Sequence, residues 1–327
     1  QGKDQAIKTF KNTVLGETWQ ERGEAPDWQR LYDRRETWEP GTIPAGGLFL
    51  TAGADVQRDR IEVSVWAWGF DRQSWLITHR VLDGNPFERP VWARVRALLD
   101  EQWPHESGRT MGVSMLAIDS GDGMTTPEVY TFARSAGPRV MAIKGMPDSF
   151  RQPLGNPSGS EVKRGGKTIT GAVWPVGSGH LKRELYGWLK LDQPNLEKGE
   201  PHPPGYVHLP THAAGQEFCE QLTAEQLVIR KGKNGFPTSE WVKQRERNEA
   251  LDCRVYARAA AVAYGAEDSG MTKEHWRALA AARAGEAQAE AVQAEAPPPP
   301  PAPVPQPLPA AIAGRGRSVT GFGRRVF

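Results

Sequence analysis

Between Leu48 and about Tyr264 the chain keeps a regular rhythm of apolar and polar positions, and on either side of that stretch the rhythm is lost. An apolar run from Leu48 to Ala54 reads as a strand, and a turn through Gln57 to Asp59 follows it. Ile61, Val63, Val65 and Ala67 then alternate with Glu62, Ser64, Trp66 and Trp68, the two-residue period of a second strand. Ser74 to Val81 forms a third after the turn at Gly69 to Arg72, and connections this short predict an antiparallel meander. The order then changes. Pro90 introduces a helix, Val91 to Gln102; a strand ends at Asp119; Thr126 and Pro127 cap and start a helix to Ala136; a fifth strand runs from Arg139 to Lys144. A meander followed by helix, strand, helix, strand predicts an α/β fold with a mixed sheet and helices on both faces. Its first and fourth strands can lie side by side.

Residues 145–170, rich in Gly, Pro, Ser and Lys, read as a flexible excursion or a hairpin. A strand at Ala172 to Val176, a helix from about His180 to Lys190, a short strand at Tyr206 to Leu209 and a helix near Ala213 to Leu222 follow. Segments around Leu227 and Trp241 flank a turn and resemble a two-stranded ribbon. A last helix, Glu249 to Tyr264, puts Leu251, Val255 and Val262 on one face with Asp252 beside it. Residues 1–47 read as a helix from Asp4 to Val14 and an irregular lead-in, too small for a core of its own and resembling the cut edge of a longer polypeptide. Residues 266–327 turn to Ala and Glu, then to Pro and Arg, and from about residue 285 such a composition is expected to be disordered.

Composition narrows the class only a little. Lys and Arg number 41 against 39 Asp and Glu, so the net charge of +2 marks no nucleic-acid binder and any basic footprint must be local. Two local clusters exist: Lys163, Arg164 and Lys167 among glycines, and Arg230, Lys231 and Lys233 followed by Lys243, Arg245 and Arg247. A solvated surface is the plain alternative for each. No apolar run approaches the roughly 18 residues of a membrane helix and no signal-peptide pattern opens the chain, so no membrane partner and a cytoplasmic setting are expected. The two cysteines, Cys219 and Cys253, lack the pairing of a zinc ribbon or disulfide framework and read as packing residues.

The candidate chemistry is acidic. Asp55 and Asp119 each end a predicted buried strand, and Asp252 lies in the first turn of the last helix. A carboxylate at such a strand end is costly to desolvate unless a positive charge meets it, so the three suggest a shared cation. Clustered hard oxygens that hold two divalent ions about 3.5 to 4 Å apart are the requirement of metal-dependent phosphodiester hydrolysis. Simpler roles stay open: Asp119 as a cap in Asp-Ser-Gly-Asp-Gly, and Asp252 as a favourable charge at a helix start. Asp122 and Glu249 are spare ligands, and Lys144 and Lys182 are read as phosphate contacts or as charges that offset the carboxylates. Gly165-Gly166-Lys167-Thr168 is not a phosphate loop, because Glu161 stands where that motif needs glycine, and no ATPase motif occurs elsewhere. His202, His208 and His212 lack metal-helix spacing and read as surface or structural residues.

Several runs then carry a resemblance. Phe-Lys-Asn-Thr-Val-Leu-Gly-Glu-Thr-Trp (10–19), Leu-Thr-Ala-Gly-Ala-Asp-Val-Gln-Arg-Asp-Arg-Ile-Glu (50–62), Ala-Ile-Asp-Ser-Gly (117–121) and Asn-Glu-Ala-Leu-Asp-Cys-Arg-Val-Tyr-Ala (248–257) resemble the large terminase subunit of tailed phages, GpA type. Val-Tyr-Thr-Phe (129–132), Ala-Ile-Lys-Gly (142–145) and His-Leu-Lys-Arg-Glu-Leu-Tyr (180–186) do so too, and the likeness spans roughly residues 5–265. The resemblance implies a packaging enzyme with an N-terminal ATPase motor and a C-terminal ribonuclease H-like nuclease that cuts concatemeric viral DNA. It places the acidic metal cluster on Asp55, Asp119 and Asp252.

The expectation is therefore a ribonuclease H-like α/β nuclease domain over 48–265, preceded by a lead-in (1–47) from an ATPase domain and followed by a tail (266–327). Mg2+ or Mn2+, two ions, would serve as cofactor, and double-stranded DNA would be steered by the two basic clusters with Lys144 and Lys182. A small terminase subunit and a capsid portal would be partners in the host cytoplasm. A transposase or junction resolvase on the same fold, and a non-catalytic docking module, are the competing readings.

Overall fold

The computed structural model describes residues 21–22, 25–231, 237–265 and 272–283. The expected helix at Asp4 to Val14, Lys233, the side chain of Lys231 and the tail beyond residue 283 lie outside the described residues. In chain order the elements are β1 (Glu21–Arg22), α1 (Trp28–Asp33), β2 (Phe49–Val56), β3 (Arg60–Trp68), β4 (Ser74–Asp83), α2 (Arg89–Asp100), β5 (Gln102–Pro104), β6 (Thr110–Asp119), α3 (Thr126–Ala136) and β7 (Val140–Gly145). They continue with β8 (Ser158–Arg164), β9 (Lys167–Val176), α4 (Ser178–Leu189), β10 (Val207–His208), α5 (Gln216–Leu222), β11 (Glu225–Lys231), β12 (Pro237–Lys243), α6 (Glu249–Tyr264) and α7 (Lys273–Arg283).

The main sheet runs β10-β4-β3-β2-β6-β7-β9-β8, with β5 added along β6. β2, β3 and β4 form the antiparallel meander, and β6 and β7 continue parallel to β2. The first and fourth strands of the sequence reading are thus neighbours, β2 against β6, and the order is the ribonuclease H-like one. β8 and β9 form a hairpin whose two-residue loop is Gly165-Gly166, both at positive φ (54° and 76°). That left-handed pair is what a tight hairpin turn demands, so these glycines serve a turn and not a phosphate. β11 and β12 form the expected ribbon, and β1 adds a third strand to it.

Every residue of β2 is buried, because both faces of the sheet are covered. Leu50, Ala52, Ala54 and Val56 pack with Val91, Val95, Leu98 and Val129 of α2 and α3 on one face. Phe49, Trp66, Trp68 and Ile143 pack with Leu181, Leu185, Phe218 and Leu251 of α4, α5 and α6 on the other. Along the second face of β2 stand Thr51, Gly53 and Asp55, and α6 lies directly on them. Thr51 Oγ1 donates to the Ala257 carbonyl at 2.7 Å and accepts from Trp68 Nε1 at 2.8 Å. A Cβ on Gly53 would stand 2.0 Å from the Cys253 carbonyl oxygen and 2.5 Å from the Ala257 nitrogen, so only glycine admits the helix at this depth.

The change of pattern at Leu48 is not an edge in the packing. Leu31 of α1 is fully buried in the second core, Ile43 is fully buried in the first, and Glu36 bridges in parallel to Pro210. Beyond the last long helix, Trp276 of α7 packs near Phe49 and Phe70, and Arg283 Nε donates to the Leu48 carbonyl at 3.1 Å. Residues 28–33 and 273–283 are therefore helices where an irregular lead-in and a tail were expected. Their apolar stripes are too short to stand out before a core exists to receive them.

Gly53→Ala should cost about 1–3 kcal/mol or more through overpacking against α6. Urea unfolding is the check, and unchanged stability would show that α6 does not approach β2 this closely.

Candidate active site

Asp55, Asp119 and Asp252 meet at one end of the sheet. The β2–β6 register pairs Ala54 with Ile118, so Asp55 and Asp119 follow each other across neighbouring parallel strands. Asp252 arrives from the first turn of α6, held by the contacts at Thr51 and Gly53 that run down the same face of β2. This is the carboxyl end of parallel strands, where open α/β sheets leave a crevice.

The electrostatics show what is missing. Asp55 is 5 % exposed, and burial followed by the charges of Asp252 and Asp119 raises its pKa to about 8. Burial raises Asp119 to about 6 against hydrogen bonds from backbone amides, with Asp252 pushing the same way. Asp252 is raised by burial although Lys182 opposes the shift. Gln57 Nε2 donates to Asp55 at 2.6 Å and the Gly121 amide donates to Asp119 at 3.0 Å. Among the described residues no Lys, Arg or His forms an ion pair with Asp55 or Asp119.

The residue directly across the strand pair gives the contrast. Glu62 faces Asp55 in the β2–β3 register and is fully buried. Burial alone would raise it, yet hydrogen bonds from His79 and Arg60 and the charge of Arg247 bring it to about 2. Arg60 Nε lies 2.7 Å and Arg247 2.6 Å from Glu62 Oε1. Two neighbouring carboxylates thus differ in one respect: Glu62 has resident cations and Asp55 has none.

Asp252 is anchored by a buried network that the sequence did not reveal. Lys182 Nζ sits 2.7 Å from Glu225 Oε1 and 3.2 Å from Asp252 Oδ1. Asn248 Nδ2 donates to both carboxylates at 2.8 Å. Tyr186 Oη donates to the Glu225 carbonyl at 2.8 Å. Glu225 opens a ribbon strand and Asn248 precedes a helix, and neither position carries a local signal of a buried role. The network corrects one expectation: Lys182 is buried and committed to carboxylates, so it offsets charge and touches no phosphate.

The spare ligands are also committed elsewhere. Asp122 is exposed and accepts from the Met124 amide at 3.1 Å, as a loop cap before α3. Glu249 is paired with Arg60 at 2.7 Å and Arg247 at 3.3 Å. Of the basic residues, Lys144 is exposed one position beyond Ile143, the β7 partner of Asp119. Lys163 and Lys167 are exposed on the β8–β9 hairpin, whereas Arg164 pairs with Glu128. Arg230 pairs with Glu240 at 3.2 Å and Arg245 with Glu220 at 2.7 Å, while Lys243 is exposed and close enough to lower the pKa of Asp252. Lys231 contributes backbone to β11, and Lys233 is outside the described residues.

The donor set fits a hard divalent cation: carboxylates only, with a resident counter-charge on Asp252 alone. The three aspartates do not each bring an oxygen within 4.8 Å of one another.

A mixed sheet of this order with an acidic cluster at its strand ends is an architecture on which nuclease domains are built, and the comparisons assign the class. A family model described as "Terminase large subunit gpA, endonuclease domain" matches residues 1–276, and the chain belongs to that family. The terminase large subunit of Escherichia phage lambda is 34% identical over 257 residues, covering 77% of this chain and 38% of that protein. That of Enterobacteria phage P21 is 33% identical over 256 residues, covering 78% and 38%. The chain thus spans 38% of the length of these relatives. The solved nuclease domain of the bacteriophage SPP1 large terminase g2p, with bound Mn, shares 12% identity at a TM-score of 0.31, over 72% of this chain and 92% of that one. Family membership sets the chain among terminase nuclease domains and not among transposases or resolvases.

The raised pKa values set the sign of a pH effect. Without metal, folded Asp55 keeps its proton up to about 8 and Asp119 up to about 6, whereas the unfolded chain releases both near 3.8. This contribution to stability is complete below the unfolded value and is lost as pH rises through 6 and then 8. In EDTA, Asp55→Asn should therefore raise Tm at about pH 9 and leave it nearly unchanged at about pH 4. Wild type should gain more Tm from Mn2+ at the higher pH, and equal gains at both would oppose the shifts. Lys182→Met should cost about 3–5 kcal/mol by leaving Glu225 and Asp252 buried without their cation. Adding Glu225→Gln should recover part of that loss in urea unfolding.

Proposed function

We propose that this domain is a metal-dependent endonuclease that cuts double-stranded DNA during viral genome packaging, with Asp55, Asp119 and Asp252 as its catalytic and metal-holding residues. The observation that carries the reading is the meeting of three carboxylates, Asp55 buried and Asp119 and Asp252 half-buried, with raised pKa values and no cation on Asp55 or Asp119, beside a Glu62 that has its cations in place. Mg2+ or Mn2+ held there would supply an activated water and stabilisation of the departing oxygen. Two ions are the number that this division of labour, one for the water and one for the departing oxygen, calls for.

Each protein group has a positioning task. Gln57 turns Asp55, and the Gly121 amide turns Asp119. Lys182 and Asn248 hold the two oxygens of Asp252, so one arm of the cluster is set before any ion binds. Lys144, Lys163, Lys167 and Lys243 are exposed and free to follow the phosphate backbone. Contacts of that kind read phosphate spacing and not base identity, so site choice would come from partners such as a small terminase subunit and delivery of DNA from a capsid portal. The setting is the host cytoplasm, and no described helix is long and apolar enough to cross a membrane.

Supercoiled plasmid with Mn2+ tests the reading. Wild type should nick and linearise it, EDTA should stop the reaction, and Asp55→Ala, Asp119→Ala and Asp252→Ala should fall to the EDTA level while remaining folded by circular dichroism. Cleavage retained in Asp55→Ala or Asp119→Ala would remove the assignment.

A further inference from the structure

A second cluster of metal-ligating groups lies away from the aspartates, at the β10 edge of the sheet, with β4 and β3 between it and β2. Glu36, His202 and His208 each offer one ligand atom, and these atoms all lie within 4.8 Å of one another. Glu36 lies far along the chain from the two histidines, which share one short loop-and-strand segment, so the group was not visible in the sequence. Glu36 is fixed from both sides: its amide donates to the Leu209 carbonyl at 2.8 Å and its carbonyl accepts from the Thr211 amide at 2.9 Å.

The hydrogen bonding of His208 is unusual for a purely structural residue. Its ring is buried, stacked on Trp75 at 4.6 Å between centroids. Gln73 Oε1 lies 3.2 Å from Nε2. Nδ1 faces both oxygens of Glu36 at 2.9 Å, either donating to them directly or sharing a bound cation with them. His202 decides between them. Its ring centroid is 4.5 Å from that of His208, and its Nε2 is buried with no hydrogen-bond partner. A buried ring nitrogen without a partner costs free energy that a metal bond would recover.

We propose that Glu36, His202 and His208 bind one Zn2+-class cation, distinct from the hard ions of the aspartate cluster. Two imidazoles and a carboxylate are a zinc donor set, and the part-exposed Glu36 and His202 leave a position for water. Arg34 lies beside the site, its guanidinium 4.5 Å over the Tyr206 ring and its nitrogens directed to the carbonyls of Leu191 and Val207. Its charge offsets that of Glu36, so affinity rests on nitrogen bonds and selects Zn2+ over Mg2+. The bound ion clips the segment ahead of β2 to the loop before β10.

The full chain, stripped with a chelator and returned to excess Mg2+, is titrated with Zn2+ against a chromophoric zinc indicator. One equivalent should bind with micromolar or tighter affinity, and Co2+ should give the d–d absorption of a low-coordinate nitrogen site. His202→Ala should weaken Zn2+ binding about 10–100-fold, the range for losing a metal-site contact, without lowering the metal-free Tm. Glu36→Gln, also part-exposed, is the second variant, and Asp55→Ala should bind Zn2+ as wild type does. Absence of a stoichiometric Zn2+, equal binding by His202→Ala and wild type, or loss of binding in Asp55→Ala would each overturn the proposal.

Discussion

The close seat of α6 on β2 is the constraint on which this domain depends. Thr51, Gly53 and Asp55 occupy one face of the central strand, and each does a different part of one job. Thr51 bonds the helix backbone, Gly53 has no side chain to hold it off, and Asp55 faces what the helix brings. Because the helix runs in this register, its first turn and not its middle reaches the strand ends. Asp252 is placed by backbone contacts at Cys253 and Ala257, not by its own side chain.

The same packing creates an electrostatic problem that half of the site has solved internally. Glu62, across from Asp55, is neutralised by Arg60 and Arg247; Asp252 is part-neutralised by Lys182, which Glu225 also holds, while Asn248 donates to both carboxylates. Asp55 and Asp119 are left with polar donors only. Two carboxylates at a crevice, with no ion pair among the described residues, are available for something outside the chain. The Glu36, His202 and His208 group has a different chemistry. There an imidazole nitrogen, and not a carboxylate, is the group without a partner.

Much of this was legible along the chain. The meander, the parallel strands after it and the last helix were readable from period and turn residues, since a strand with two covered faces and a helix with one apolar stripe leave different local records. Asp55 and Asp119 were visible because a charge ending an apolar run is locally anomalous. Glu225, Asn248 and Tyr186 left no such mark: each is an ordinary residue in its own segment and acquires a role only from distant neighbours. Lys182 was noticed but could not be assigned, because helix position alone does not distinguish a solvated lysine from one sunk between two acids.

What the sequence alone determined is the order of the main strands and helices between Leu48 and Tyr264 and two carboxylates at strand ends, all consequences of interactions within a few residues. What only the tertiary structure decided is which charges are already answered and which are not. Glu62 and Asp55 look alike on paper, as do His202 and any loop histidine. Pairing across roughly 165 to 190 residues of chain, Glu36 to His202 or Glu62 to Arg247, separates them, and such pairings follow from the packing of whole elements.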